Sequence, residues 1–406
     1  MRVKEQSALS VCDVESAKRV DLVSLNSSGT TSFFKTCFNC LNALSGAGIM
    51  SISYALSCGG WLSLILLFII ASITFYTGLL TKRCMEVDPN IRSYPDIGDK
   101  AFGTKGRILV LIFMNLELYL IATGFLILAG DNLHKLMPFL ETKVHGIPVG
   151  GRRSLVVLIA LVIMPTVWID KMTTLSYVSA TGVLASLVIL GSILLTGISD
   201  GIGFHQKGVL LNWSGLPTAF SLYTLCYCAH AVFPTLCTSM RDQRQFSSVL
   251  LACFLYVMFG SEIQSHITLN LPTNNLSSKV AVYTCLIIPI AKYALMLKPV
   301  IETIECYFQS SGGKRFYSLF LRTMLVIISI VVAVTIPFFG YLMSLVGAFL
   351  SVTSSILLPC FCYLKISGAY RKLDFELASI DLIVLTGLIV FVIGTYTSLL
   401  DIIHSL

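Results

Sequence analysis

Asn42-Ala43-Leu44-Ser45-Gly46-Ala47-Gly48-Ile49-Met50-Ser51 lies inside the apolar run 33–57 and interrupts it. A run of that length crosses a bilayer as a helix, since about 20 residues at 1.5 Å rise each suffice. The two glycines weaken the helix near its midpoint. Lacking Cβ, they also let a ligand approach backbone amides and carbonyls. Close packing of neighbouring helices is the other use of such small residues.

Outward from this stretch, apolar runs repeat along the whole chain. They cover 33–57, 61–82, 107–130, 154–170, 174–198, 216–237, 247–260, 280–302, 318–338, 340–364 and 380–401. Polar loops such as 83–106 and 131–153 separate them. Trp61, Trp168 and Trp213 fall at run ends, where interfacial anchors sit. Hydrophobic residues are 55% of the 406 and charged residues 12%, with a mean hydropathy of +0.84. A soluble globular chain carries about 25% charged residues. The runs are continuous rather than alternating, so the expected class is an all-α integral membrane protein of ten or eleven spans, not a barrel. One membrane domain is expected over 33–401. Residues 1–32 are polar, mixed in charge and without an apolar core, and read as a disordered cytosolic tail.

The net charge of +7 sits in short loops rather than on a solvated stripe, which argues against a nucleic-acid partner. Most of the 28 Lys and Arg fall on one side if the N-terminus is cytosolic and every run crosses. Ser247–Gly260 is the misfit: its 14 residues span about 21 Å, against a hydrocarbon core of about 30 Å. The 13 cysteines lie mostly inside apolar runs and read as small buried thiols, with no disulfide framework and no zinc spacing. No phosphate loop or catalytic triad order appears, so neither a cofactor nor an enzymatic reaction is expected.

Transporters place their sites in discontinuous helices at matching positions of two repeats. A second interruption lies in 216–237, where Cys226-Tyr227-Cys228-Ala229-His230 precedes the helix-breaking Pro234. The two breaks fall in segments one and six, the first helix of each half in a five-plus-five arrangement. Intramembrane ionisable groups add candidates. Glu117 is a proton site or a carboxylate paired across helices. His230 titrates near neutrality when unperturbed, and it reads equally as a satisfied core histidine. Lys292 is expected to snorkel, and Asp131 to be a solvated cap at a segment end.

These residues resemble the amino acid/auxin permease family. Asn42 through Ser51, with Tyr54-Ala55-Leu56 and Gly59-Gly60-Trp61, is similar to its first helix. Leu216-Pro217-Thr218-Ala219 through His230 and Phe233-Pro234-Thr235-Leu236 is similar to its sixth. Glu117-Leu118-Tyr119-Leu120, Gly130-Asp131-Asn132-Leu133, Asn270-Leu271-Pro272-Thr273 and Pro337-Phe338-Phe339-Gly340 resemble the plant vacuolar amino-acid transporter branch.

The resemblance implies a sodium-symporter-like inverted repeat of about eleven helices. It implies proton-coupled antiport of amino acids across the vacuolar membrane, with the plasma membrane as the alternative location. Asn42, Ser45, Gly46, Ala47, Gly48 and Ile49 would then hold the substrate's amino and carboxylate groups. Cys226, Tyr227, Ala229 and His230 would face its side chain, and Glu117 and His230 are the proton-coupling candidates. The partners would be amino acids, protons and the lipid bilayer. This chain departs from the family at Ser53, where proline is usual, and at Ala129, where an acid is common. The middle of the seventh helix, between Phe254 and Tyr256, is also missing. A shortened isoform that senses amino acids or joins a partner without transport is the rival expectation.

Overall fold

The computed structural model describes residues 31–44, 47–88, 90–136, 142–144, 147–149, 151–169, 185, 188, 209–260, 276–307, 314–336, 338–371 and 374–405. Every apolar run coincides with a described helix except 174–198, which lies outside the described residues apart from Ala185 and Val188. The expected tail lies outside them too, save Thr31 and Ser32.

The helices are α1 (Phe33–Leu44), α2 (Ala47–Gly59), α3 (Ser63–Val87), α4 (Tyr94–Phe102) and α5 (Thr104–Leu136). After a hairpin come α6 (Arg152–Val167), α7 (Leu216–Cys226), α8 (Phe233–Ser239) and α9 (Phe246–Gly260). Then follow α10 (Leu276–Tyr307), α11 (Lys314–Thr335), α12 (Phe339–Ser367) and α13 (Phe375–Ser405). Among the described residues, six stretches are long and apolar enough to cross a membrane.

Two polar loops hold more structure than expected. Within 83–106, α3 runs on to Val87 and α4 forms a short amphipathic helix. Ser93 and Asp96 make a capping box with the Ser93 amide 2.8 Å from Asp96 Oδ2, and Pro95 sits in the first turn. Gly98 and Gly106 let α4 cross α5 closely: a Cβ on Gly106 would stand 2.3 Å from the Gly98 carbonyl oxygen. Within 131–153, α5 continues to Leu136, and β1 (Thr142–Val144) pairs antiparallel with β2 (Ile147–Val149). Among the described residues the fold is therefore all-helical apart from one small ribbon.

Asp131 is accordingly not a solvated cap but a residue within α5, ion-paired with Arg152 of α6. Lys292 does not snorkel; it is fully buried on α10.

The interior is built around the broken sixth segment and α12. Of their apolar windows, 72% and 83% are buried, against 22% for α13. Leu382, Leu385, Ile389, Val392 and Ile393 of α13 present the exposed apolar face that lipid requires. The first and sixth segments run antiparallel and are tied at both ends. The Thr31 amide donates to the Ser239 carbonyl (3.1 Å) at one end, and the Asn212 amide to the Gly59 carbonyl (3.1 Å) at the other. Between these ties α2 packs along α7, and at the start of α3 Ser63 Oγ lies 3.0 Å from the Tyr223 hydroxyl.

Candidate functional site

The expected break in the sixth segment is present, whereas the expected break in the first falls at Ser45 and Gly46, between the helical stretches Phe33–Leu44 and Ala47–Gly59. Ser45 and Gly46 lie outside the described residues, as do the side chains of Asn42, Ala47 and Ile49, and nothing of Gly48 beyond its helical backbone is described. The sixth segment stops at Cys226 and resumes as a 3-10 turn, His230–Val232, that leads into α8. Pro234 sits in the first turn of α8, where its missing N–H costs nothing.

The break between α7 and α8 is lined by named chemistry. Cys226 is buried with its thiol turned back on the Leu222 carbonyl (3.1 Å), and Ala229 is buried beside it. The Tyr227 ring stacks on Phe254 of α9, centroids 5.2 Å apart, and its buried hydroxyl has no partner among the described residues.

The His230 ring is fully buried. Nε2 lies 3.0 Å from Thr77 Oγ1 and 3.2 Å from the Thr74 carbonyl oxygen. A carbonyl only accepts, so Nε2 carries the hydrogen. Thr77 gives its own hydrogen to the Ser355 carbonyl at 2.7 Å, and therefore accepts from the ring. The neutral ring then leaves Nδ1 as a bare lone pair, which finds no donor among the described residues.

Glu117 of α5 is buried and tied to two other elements. Oε1 accepts from the Cys228 thiol (2.8 Å) and from Ser351 Oγ (2.5 Å), and Oε2 from Ser354 Oγ (2.8 Å). Cys228 in turn accepts from Ser355 Oγ at 3.1 Å. Three donors on two oxygens match an ionised carboxylate, since burying that charge without partners would be prohibitive.

The three serines belong to α12, where the helix widens to π geometry over Val346–Ser351 and Thr353–Leu357. Pro359 explains why this wide turn bonds outward. A helical Ser355 carbonyl, or a π-turn Ser354 carbonyl, would pair with the N–H of residue 359, and proline has none. Thr77 takes the first carbonyl and the Tyr94 hydroxyl of α4 takes the second. Glu117 and His230 thus belong to one polar cluster that joins α3, α4, α5, α12 and the sixth-segment break.

Sequence reading named Glu117 and His230 but missed Ser351, Ser354, Ser355 and Thr77. The polar run Ser351-Val352-Thr353-Ser354-Ser355, followed by Pro359 in an otherwise apolar segment, was the available signal. Among the described residues no group of three His, Cys, Asp or Glu could hold a metal ion.

Residues 29–400 match the family described as transmembrane amino acid transporter protein. The chain belongs to this family. Among its relatives, amino acid transporter AVT1I of Arabidopsis thaliana is 55% identical over 391 positions, taking in 93% of this chain and 96% of the relative. Amino acid transporter AVT1J of the same plant is 53% identical, with 93% of each chain covered. Amino acid transporter AVT1H, at 32% identity, covers 95% of this chain and 94% of its own. The fold is similar to the crystal structure of MhsT in complex with L-phenylalanine, with a TM-score of 0.50 at 13% identity. That match covers 91% of this chain and all of the other.

Proposed function

We propose that this chain moves amino acids across the vacuolar membrane in exchange for protons, holding substrate between the broken first and sixth segments. The observation that carries the reading is the sixth-segment break. Two buried polar atoms there, His230 Nδ1 and the Tyr227 hydroxyl, lack partners among the described residues, next to a carboxylate held by donors from two other elements. A bare imidazole nitrogen accepts from an ammonium or takes a proton. Glu117 is the carrier of the coupled proton in this reading, and His230 its second titratable group.

In the first break, amides at the start of α2 face a helix N-terminus, where the dipole favours a substrate carboxylate. Asn42, Ser45, Gly46, Ala47, Gly48 and Ile49 are assigned to the substrate's backbone groups, and Cys226, Tyr227, Ala229 and His230 to its side chain. The scaffold is taken as a five-plus-five inverted repeat of about eleven helices, which the antiparallel tie of segments one and six supports. One pH unit supplies about 1.4 kcal/mol per proton, enough for roughly tenfold accumulation.

The test is uptake of a panel of labelled amino acids into acidified vesicles carrying the purified chain, with and without the proton gradient collapsed. Gradient-dependent uptake supports the reading. Glu117→Gln and His230→Ala are then compared, and an unchanged dependence on the gradient in both removes them as carriers.

A second reading rests on α9. Its apolar run, 247–260, has 14 residues and spans about 21 Å as a helix, short of the hydrocarbon core. The alignment with the AVT1I relative spans 391 positions but takes in only 93% of this 406-residue chain, so that relative has residues this chain lacks. A shortened isoform that binds amino acids or a partner without flux fits those facts. Saturable binding of substrate by folded protein, with no uptake, is its signature.

A further inference from the structure

Ser354 occupies a position that no sequence motif singled out. Its Oγ donates to Glu117 Oε2 at 2.8 Å, and the same oxygen lies 3.4 Å from the Ser351 carbonyl oxygen one turn earlier. Its own carbonyl is held by the Tyr94 hydroxyl, so the peptide is anchored while the hydroxyl can rotate. The two other donors to the carboxylate, Cys228 and Ser351, both serve Oε1. Ser354 alone, among the described residues, serves Oε2.

We propose that Ser354 is the positioning residue of the proton step at Glu117, a hydroxyl that donates to the carboxylate and turns to accept from the carboxylic acid. The inference rests on the proton-coupling reading above. When Glu117 is ionised, the Ser354 hydrogen points at Oε2. When a proton arrives at Oε2, the new O–H donates to Ser354 Oγ, and the serine hydrogen swings to the Ser351 carbonyl. No bond to carbon changes, and the proton count of the cluster rises by one. Cys228 and Ser351 keep their bonds to Oε1 in both states, so the carboxyl group stays in place while its charge changes.

Other ionisable groups on the surrounding elements are few. Cys228 and His230 from the break and Tyr94 from α4 are the titratable groups in the cluster with Glu117. On the helices packed along α5, α10 carries the buried Lys292, α11 carries Arg322 paired with Glu305, and α6 carries Arg152 paired with Asp131. On α3, Thr77 links the cluster to His230.

Removing the hydroxyl withdraws a charge-assisted donor from the ionised form and an ordinary partner from the neutral form. The first is worth more, so its loss favours the protonated state. The experiment measures uptake against lumenal pH in vesicles carrying wild type, Ser354→Ala, Ser354→Thr and Glu117→Gln, each checked for folding by size exclusion. The expected result for Ser354→Ala is a half-maximal pH about one unit higher, roughly a tenfold change in proton affinity. Ser354→Thr, which keeps the hydroxyl, restores the wild-type midpoint.

An unchanged midpoint in Ser354→Ala overturns the proposal, as does an equal shift in the alanine and threonine variants. If Ser354→Ala does not fold, Ser354→Cys takes its place, and its weaker donor is expected to give a smaller shift in the same direction. No shift in Ser354→Cys then overturns the proposal. Glu117→Gln separates the two levels. Retained proton dependence in that variant removes the carrier role of Glu117 itself, whereas its loss together with an unmoved Ser354→Ala midpoint removes Ser354 alone.

Discussion

Thr77 Oγ1 stands 3.0 Å from Nε2 of His230, and this contact, with the Thr74 carbonyl at 3.2 Å, decides which ring nitrogen is bare. Thr77 is already a donor to the Ser355 carbonyl, so it can only accept from the histidine. The orientation of a residue in the sixth segment is thus set by a carbonyl of the tenth, which is free because Pro359 follows it by four residues. A helix irregularity in α12 reaches the proposed substrate site through two hydrogen bonds.

Thr77→Val removes one of the two acceptors for Nε2 and the donor to Ser355 while keeping the side chain's shape, and leaves the Thr74 carbonyl as the ring's remaining partner. Losing buried partners of this kind costs about 1–3 kcal/mol, and a lower melting temperature in detergent is expected. With the ring held less firmly, KM for substrate rises while the pH midpoint of uptake stays where it was. Thr77→Ser, which keeps the hydroxyl, behaves as wild type. A Thr77→Val protein with unchanged KM would show that the ring's orientation is irrelevant to substrate.

Pro359→Ala supplies the missing N–H. The Ser355 carbonyl in α geometry, or the Ser354 carbonyl in π geometry, regains an intrahelical partner, and the bond to it from Thr77 or Tyr94 weakens. Proline inside a helix is disfavoured by about 3 kcal/mol relative to alanine, so the variant is expected to melt higher than wild type. Its uptake rate is expected to fall, because the polar cluster loses one of its ties. Thermal melting and initial uptake rates on the same preparation check both parts.

Gly347→Ala tests the packing of the wide turn on the sixth segment. An added Cβ would lie 2.0 Å from the Ser221 carbonyl oxygen and 2.7 Å from its carbon, both backbone atoms of α7 that cannot rotate away. Overpacking of this kind costs about 1–3 kcal/mol and occasionally more. A sharp drop in melting temperature is expected, against no change for Gly151→Ala, whose Cβ would meet nothing within 4 Å.

The helices were legible because apolar runs of bilayer length leave the chain few alternatives. The break in the sixth segment was legible because proline at 234 ends helices by local chemistry alone. The cluster was only half legible. Glu117 and His230 stand out as ionisable residues in apolar surroundings, but serines in a membrane helix read as packing residues. What makes Ser354 and Ser355 polar partners is the turn that Pro359 opens and the arrival of Tyr94 and Thr77, from 260 and 278 residues earlier in the chain. Asp131 and Lys292 were misplaced for a related reason: run ends estimated from hydropathy cannot show that α5 continues past 130 to reach Arg152, or that neighbouring helices bury a lysine.

Asp88 provides a control for the pH experiments. The Lys100 ammonium, 2.8 Å from its Oδ2, holds this exposed loop carboxyl below the usual carboxylate range, with help from the Asn90 amide. For a carboxyl lowered on folding, the stabilisation is present above the unfolded value and is lost as pH falls through the folded one, below about pH 4. Between about pH 5 and 8 Asp88 does not change charge, and Asp88→Asn is expected to leave the uptake profile in place. A moved midpoint would mean that the profile reports loop electrostatics rather than the buried cluster.

The length of α9 is the last point on which transport turns. Phe246, Val249, Leu250, Cys253, Phe254 and Val257 are buried, and Phe254 stacks on Tyr227. The helix is therefore seated against the sixth-segment break, although its apolar run, 247–260, is too short to span the membrane straight. Inserting about seven apolar residues after Phe254 adds roughly 10 Å while leaving the stack upstream of the change. If the short helix limits alternation between the two faces, the lengthened chain takes up substrate faster at equal binding affinity. Equal flux from both chains would mean that local bilayer thinning or tilt accommodates the short helix and that the stack on Tyr227 is the part of α9 that function requires. Binding without flux in the original chain, with flux gained on lengthening, would instead make this protein a natural non-transporting form whose substrate site is intact.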